Sequence, residues 1–198
     1  MKILIAEDDG LEAQELARNV QALGHRVVGI AKAGRRTVEM AHSLEPDLIL
    51  LDIAMPDLDG ICAAREILAV RPVPIVIVTG HADPELVERA AATGVFTYLL
   101  KPIGPRVLDA AIQTAQARFA ELQALRRQVS DLQEALEVRR MVEQAKGILM
   151  KRLQISEAEA FRRLQRRASA QRRPMKEIAE AVRETDRFYE EFDCGGKE

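Results

Sequence analysis

The chain contains no tryptophan, and its aromatic residues are two tyrosines and five phenylalanines in 198 positions. That scarcity excludes a nucleic-acid surface built as a row of stacking rings. Cysteine is equally sparse. Cys62 and Cys194 stand far apart, too few for a disulfide framework or a cysteine zinc site. The three histidines, His25, His42 and His81, pair with no plausible nucleophile, so an enzymatic output has no support. No apolar run reaches the roughly 18 residues a membrane span needs. Met1 to Ala6 runs straight into a strand-like segment without a signal-peptide pattern, so a cytoplasmic protein with no membrane partner is expected.

Charge is plentiful and unevenly placed. Residues 1–120 hold 12 Lys/Arg and 16 Asp/Glu, a net of −4, whereas residues 139–183 hold 13 and 5, a net of +8. The end from Glu184 holds 2 and 6, a net of −4, and residues 121–138 hold 2 and 4, which brings the total to −2. A strongly basic segment inside a near-neutral chain suits a polyanionic partner, and it suits a solvated basic helix face equally well.

Two periodicities alternate over the first 120 residues. Lys2–Ala6, Leu48–Leu51 and Ile75–Val78 are short apolar runs of the kind buried on both faces of a parallel sheet; Val27–Ala31 and Val95–Leu100 complete five strands. Helical patterns fill the gaps over Leu11–Leu23, Val38–Leu44, Ile61–Leu68, Glu85–Ala92 and Val107–Ala117, and Gly24 and Gly94 follow two of them as stops. Five strand–helix units predict a flavodoxin-like, doubly wound α/β domain over residues 1–118.

From Gln113 to Leu153 only Gly147 interrupts a helical composition. Leu122, Leu125, Val129, Leu132 and Leu136 are spaced 3, 4, 3, 4, a seam of about two heptads. A helical linker over 119–138 is expected, with the seam either joining a homodimer or packing back on its own domain. Ser156-Glu157-Ala158-Glu159 predicts a capping box, and Ala160, Phe161, Leu164 and Ala168 form a stripe. Pro174 suits the first turn of a last helix that buries Ile178, Ala181 and Val182. A small three-helix all-α domain over 139–190 follows, with core packing expected for Ala145, Met150, Ala160 and Phe161 and a disordered end over 191–198.

Ligands of a doubly wound sheet sit at the carboxyl ends of the strands. There the sequence places Glu7-Asp8-Asp9 after the first strand, Asp52 after the third, Thr79 after the fourth and Lys101 after the fifth. Acids at strand ends often only cap helices, but carboxylates, a hydroxyl and a lysine arriving together from four strands point to Mg²⁺ and a phosphoryl group. Mg²⁺ prefers a few carboxylates plus waters and phosphate oxygens. Asp52 can attack phosphorus to give an acyl phosphate. Metal and lysine then offset charge on the transferred oxygens, and the Thr79 hydroxyl can donate to them.

These residues resemble the response-regulator receiver family through Ile-Ala-Glu-Asp-Asp (5–9), Asp-Ile-Ala-Met-Pro-Asp-Leu-Asp-Gly (52–60), Val-Thr-Gly (78–80) and Tyr-Leu-Leu-Lys-Pro (98–102). The resemblance implies that Asp52 is the phospho-acceptor, served by a phosphohistidine on a sensor histidine kinase. It implies that Glu7, Asp8, Asp52 and the Ala54 carbonyl surround the metal, and that Thr79, Tyr98 and Lys101 form the switch. Thr79 would move to the phosphoryl group, Tyr98 would turn inward, and the face formed by segments 85–92, 95–100 and 107–117 would be remodelled. Asp9 matches no family role; Asp57 and Asp59 are expected to shape the loop.

Val142 to Met150, with its Ala-Lys-Gly-Ile-Leu-Met core, followed by Ile155-Ser156, Glu159-Ala160-Phe161, Leu164 and Ala168, resembles the ANTAR output domains of AmiR/NasR-type antiterminators. The resemblance implies binding to RNA hairpins in nascent transcripts. Lys146, Gly147, Lys151, Arg152, Arg162, Arg163, Arg166, Arg167 and Arg173 are the candidate contacts. The paired arginines exceed what the motif needs. Gly147 inside a helix costs about 1 kcal/mol against alanine, which close helix packing or close RNA approach can offset. The competing readings are a DNA-binding helix-turn-helix and a protein-binding tail. Against the former, the connection 170–173 lacks glycine and the segment 175–185 is acidic for a recognition helix.

Overall fold

The computed structural model describes residues 1–80, 89 and 93–193. They divide into two compact units, Met1–Ala124 and Leu125–Glu198. In the first, five strands, β1 (Lys2–Ala6), β2 (Arg26–Ala31), β3 (Leu48–Leu51), β4 (Ile75–Thr79) and β5 (Thr97–Leu100), form one sheet. The described helices are α1 (Gly10–Ala22), α2 (Gly34–Leu44), α3 (Gly60–Val70), α4 (Pro105–Leu153), α5 (Glu157–Gln171) and α6 (Met175–Asp193). The helix expected over 85–92 lies outside the described residues apart from Arg89, which is helical.

All strand pairs are parallel and their order is β2-β1-β3-β4-β5. This is the flavodoxin-like order, with its reversal between β1 and β3. The two-residue repeat of a strand sorts its side chains onto two faces. Ile3, Ile5, Leu48, Leu50, Val76 and Val78 meet Leu16 and Val20 of α1 and Leu108 and Ile112 of α4. Their alternates Leu4, Ala6, Ile49, Leu51 and Ile75 meet Ala41 of α2 and Ala64 and Ile67 of α3. Both faces are covered, so every residue of β3 and β4 is buried. β5 begins at Thr97, two residues later than the apolar run from Val95 suggested, with the Phe96 amide donating to the Ile75 carbonyl at 3.1 Å as its lead-in.

The second unit has a thin core. Ala145, Leu164, Ile178 and Ala179 are buried, with Met141, Val142, Leu149, Ala168, Met175 and Val182 packed around them. Ala160 is also fully buried, but Met150 and Phe161 are 37% and 41% exposed, against the expected core packing. The helical period accounts for both. Phe161 follows the buried Ala160 by one residue and Met150 follows Leu149 by one, so each is turned about 100° off the inward stripe.

Ser156 caps α5 by accepting from the Glu159 amide at 3.3 Å. The expected return bond is replaced, because the Glu159 carboxylate faces arginines instead. Arg172 closes α5 in the left-handed conformation (φ 52°), and α6 begins one residue after Pro174. α6 continues to Asp193, three residues into the end expected over 191–198; residues 194–198 lie outside the described ones.

Candidate functional site

Backbone hydrogen bonds carry the sheet ladder one residue past the strands and fix the site. The Glu7 amide donates to the Ala31 carbonyl, the Asp52 amide to Ala6 and the Lys101 amide to Thr79, each at 2.9 Å. Glu7, Asp52 and Lys101 are thereby held at the carboxyl edge of the sheet, beside the β1–β3 reversal. Their side chains converge. The Lys101 ammonium lies 2.6 Å from Glu7 Oε2 and 2.8 Å from Asp52 Oδ2, and it also bonds Glu12 Oε2. Glu7, Asp52 and Thr79 are buried, and the Lys101 side chain is 15% exposed.

Three carboxylates and one ammonium leave an excess of negative charge in a poorly solvated place. Burial pushes the Glu7 carboxyl up to about 7, with the Lys101 hydrogen bond opposing and the neighbouring Asp52 charge adding. Burial alone would lower the Lys101 pKa, but its hydrogen bonds to Asp52, Glu12 and Glu7 outweigh that and raise it. The ammonium is a fixed cation among acids. Oxygen ligands from Glu7, Glu12 and Asp52 all lie within 4.8 Å of one another. A hard divalent cation fits that donor set, since carboxylate oxygens are what Mg²⁺ selects.

Glu12 was invisible as a site residue because it belongs to α1 and ends no strand. Its signal is the Asp9-Gly10-Leu11-Glu12 spacing. Asp9 caps α1, accepting from the Leu11 and Glu12 amides at 2.8 and 3.0 Å, which fixes the first turn. Asp9, to which the motif assigned nothing, therefore places Glu12 over the pocket. Asp8 is exposed and stands outside the three-carboxylate cluster.

The loop after β3 is held from several sides. The Ala54 amide donates to Asp52 Oδ1 at 3.2 Å, leaving Oδ2 to Lys101. Asp59 caps α3 through the Cys62 amide at 2.9 Å, and Asp57, at φ 66°, accepts from the Arg35 amide at 3.2 Å. Both shape the loop, as their positions suggested. Gly60 is demanded by contact, since a Cβ there would stand 2.0 Å from the Asp52 carbonyl oxygen. Tyr98, half-buried on β5, packs against the Ile53, Ile61 and Ile77 cluster, and Thr79 ends β4.

In the second unit the basic residues separate into classes. Lys146 is 7% exposed and bonds Glu143 at 2.7 Å and Glu157 at 2.6 Å; these hydrogen bonds raise its pKa. Of the nine candidate RNA contacts it is the one turned away from solvent. Arg152 pairs with Asp186 at 2.8 Å and lies 5.5 Å from the Tyr189 ring centre. Arg162, Arg163 and Arg166 gather around Glu159 at 3.1, 3.2 and 4.0 Å. Arg173 pairs with Glu177 at 2.7 Å. Lys151 and Arg167 are exposed and make no ion pair among the described residues. Gly147 is exposed and a Cβ there would meet nothing within 4 Å, so close helix packing does not explain it.

Comparison with known proteins matches both units. Residues 3–113 match the response regulator receiver domain and residues 130–182 the ANTAR domain. The transcriptional regulatory protein PdtaR of Mycobacterium tuberculosis is 43% identical over 184 residues, 93% of this chain and 90% of that protein. A protein-glutamate methylesterase of Geobacter metallireducens is 38% identical over 110 residues, 53% of this chain but 31% of its own length. Among solved structures, the response regulator domain of Thermotoga maritima CheB aligns with a TM-score of 0.54 and 27% identity, covering 58% of this chain and 96% of that one. The chain belongs to the two-component response regulators, with an N-terminal receiver domain and a C-terminal ANTAR domain, the architecture of a transcriptional regulator.

Proposed function

We propose that Asp52 accepts a phosphoryl group from a histidine kinase and that this controls the binding of RNA hairpins by the second unit, preventing transcription termination. The observation that carries the reading is the Lys101 ammonium bound to Asp52 Oδ2 in a buried acidic pocket at the sheet reversal. In the transfer, an Asp52 carboxylate oxygen forms a bond to phosphorus as the P–N bond to the donor imidazole breaks, and the departing imidazole nitrogen takes up a proton from solvent. Lys101 stays by the pocket and shifts its ammonium toward the phosphoryl oxygens. Thr79 donates its hydroxyl to one of them, and the Tyr98 ring follows inward among Ile53, Ile61 and Ile77. Glu7 and Asp52 would hold Mg²⁺, with Asp8 and the Ala54 carbonyl completing the set the family resemblance implies and Glu12 at its margin. When bound, the ion neutralises charge on the phosphoryl oxygens.

The exposed arginines of α5, with Lys151 and Arg173, supply a phosphate-binding surface, and Lys146 acts as an internal strut joining α4 to α5. The seam residues Leu125, Val129, Leu132 and Leu136 are 52–66% exposed in the single chain, which favours pairing with a second copy over packing back. A kinase donor and a nascent transcript both place the protein in the cytoplasm, and the output is binding rather than catalysis.

Binding of hairpin RNA and of duplex DNA is to be measured before and after treatment with a small phosphodonor and Mg²⁺, for wild type and Asp52→Ala. Hairpin binding that responds to the donor in wild type alone is expected. Equal responses from both proteins, or a preference for duplex DNA, would contradict the reading.

A further inference from the structure

The second unit contains a cleft of about 530 Å³ that its core packing leaves open. Its floor is apolar, formed by Leu149 of α4, Leu164 of α5, and Ile178 and Val182 of α6. Its rim is cationic, with Arg163, Arg167 and Arg173 lining it. The volume falls in the range of roughly 300–1,000 Å³ typical of small-ligand sites. We propose that this cleft receives one unpaired base of an RNA loop, while the arginine rim holds the phosphates on either side. The proposal rests on the RNA reading above and locates the base-reading point within it.

Three features favour a base over another apolar guest. The rim is positive where a nucleotide is negative, and Arg167, exposed, has its charge uncompensated by any ion pair among the described residues. The wall is not wholly apolar. Thr185 and Asp186 of α6 line it as well, offering an acceptor set that can face a base edge. Asp186 is oriented by its 2.8 Å bond to Arg152, which in turn lies over Tyr189, so wall and ring form one braced unit. Finally, single-stranded loops are the part of RNA whose bases can be splayed out and read, and arginine planes and aromatic rings are what receives them. The scarcity of aromatics in this chain argues against a stacking platform; a single open cleft needs only one ring.

The test begins with hairpins of randomised loop, from which those bound by the full-length wild-type chain are selected, and each loop base is then removed in turn to leave an abasic site. Removal of one base is expected to weaken wild-type binding about tenfold, the scale of one stacked base. Ala181→Phe, which fills the cleft without changing charge, is expected to lose a similar factor on the intact hairpin and to bind intact and abasic forms alike. Should that variant fail to fold by its thermal melt, Thr185→Trp, at the exposed mouth, replaces it. Independently of any variant, methyl resonances of Leu149, Ile178 and Val182 in the wild type are expected to shift with the intact hairpin and not with the abasic one. A loop in which every base is dispensable, or a filled cleft that still reads the same base, would overturn the slot while leaving RNA binding intact. Failure to select any hairpin would remove the RNA reading itself, and the slot with it.

Discussion

Two lysines that carboxylates shield from solvent, the half-buried Lys101 and the buried Lys146, have similar surroundings and opposite meanings. Lys101 and Lys146 are each ringed by carboxylates within 2.8 Å. The partners of Lys101 lie 94, 89 and 49 residues away, on separate elements of the fold. Those of Lys146 lie 3 residues away on its own helix and 11 away at the start of the next. Bringing distant like charges together around one cation carries a desolvation penalty that burial raises, as the upward push on Glu7 records. In the function proposed above, such an arrangement is what an incoming cation or phosphoryl group would relieve. A lysine tied to near neighbours braces a helix pair at little strain. The separation in sequence, more than burial or charge, distinguishes a reactive pocket from a strut.

Substituting both lysines gives the sharpest contrast. Lys101→Met is expected to destabilise the receiver by about 3 kcal/mol, because Glu7 and Asp52 are left buried without a counter-charge. Added magnesium recovers part of that loss in urea denaturation. Lys146→Met lowers the melting point of the second unit by less, and magnesium leaves it unchanged. Equal magnesium rescue of both would erase the distinction.

Gly60→Ala is expected to cost about 2 kcal/mol, since its Cβ would collide with the Asp52 carbonyl and displace the loop that follows Asp52. Phosphodonor labelling of Asp52 slows in the same variant, measured as the rate of mass gain.

The metal-free protein is expected to respond to pH through Glu7. Its carboxyl titrates near 4.5 in the unfolded chain and at about 7 when folded, so between those values the folded state holds the proton more tightly. Stability is therefore greatest at the acid end of that window and falls as pH rises through it, levelling off only once the folded carboxyl is fully ionised, above its folded value of about 7. Glu7→Gln flattens the slope of urea midpoint against pH.

The smallest effect belongs to the second unit. Gly147→Ala is expected to stabilise α4 by about 1 kcal/mol, because the added methyl meets nothing. If RNA approaches the backbone there, the same variant binds hairpins more weakly while melting higher. Unaltered binding would make Gly147 incidental.

The receiver was largely legible in the sequence. β1, β3 and β4 are apolar runs buried on both faces, so their ends, and with them Glu7, Asp52 and Thr79, could be located without coordinates, and the apolar run before Lys101 marked the partly exposed edge strand β5. Glu12 was not, because a helix residue reaches the site only through the cap that Asp9 provides. In the second unit the helices were legible and the roles of their charges were not. Lys146 reads as a surface cation until Glu157, across a turn, closes over it. Phe161 reads as core until the register of a short helix turns it out.

The most direct test of the central claim is the intact mass of wild type and Asp52→Asn after incubation with a small phosphodonor, with and without magnesium. One phosphoryl mass on the wild type, dependent on magnesium, discharged by hydroxylamine and absent from Asp52→Asn, is the predicted result. A phosphoryl mass carried equally by Asp52→Asn, or none on the wild type with magnesium present, would contradict the account.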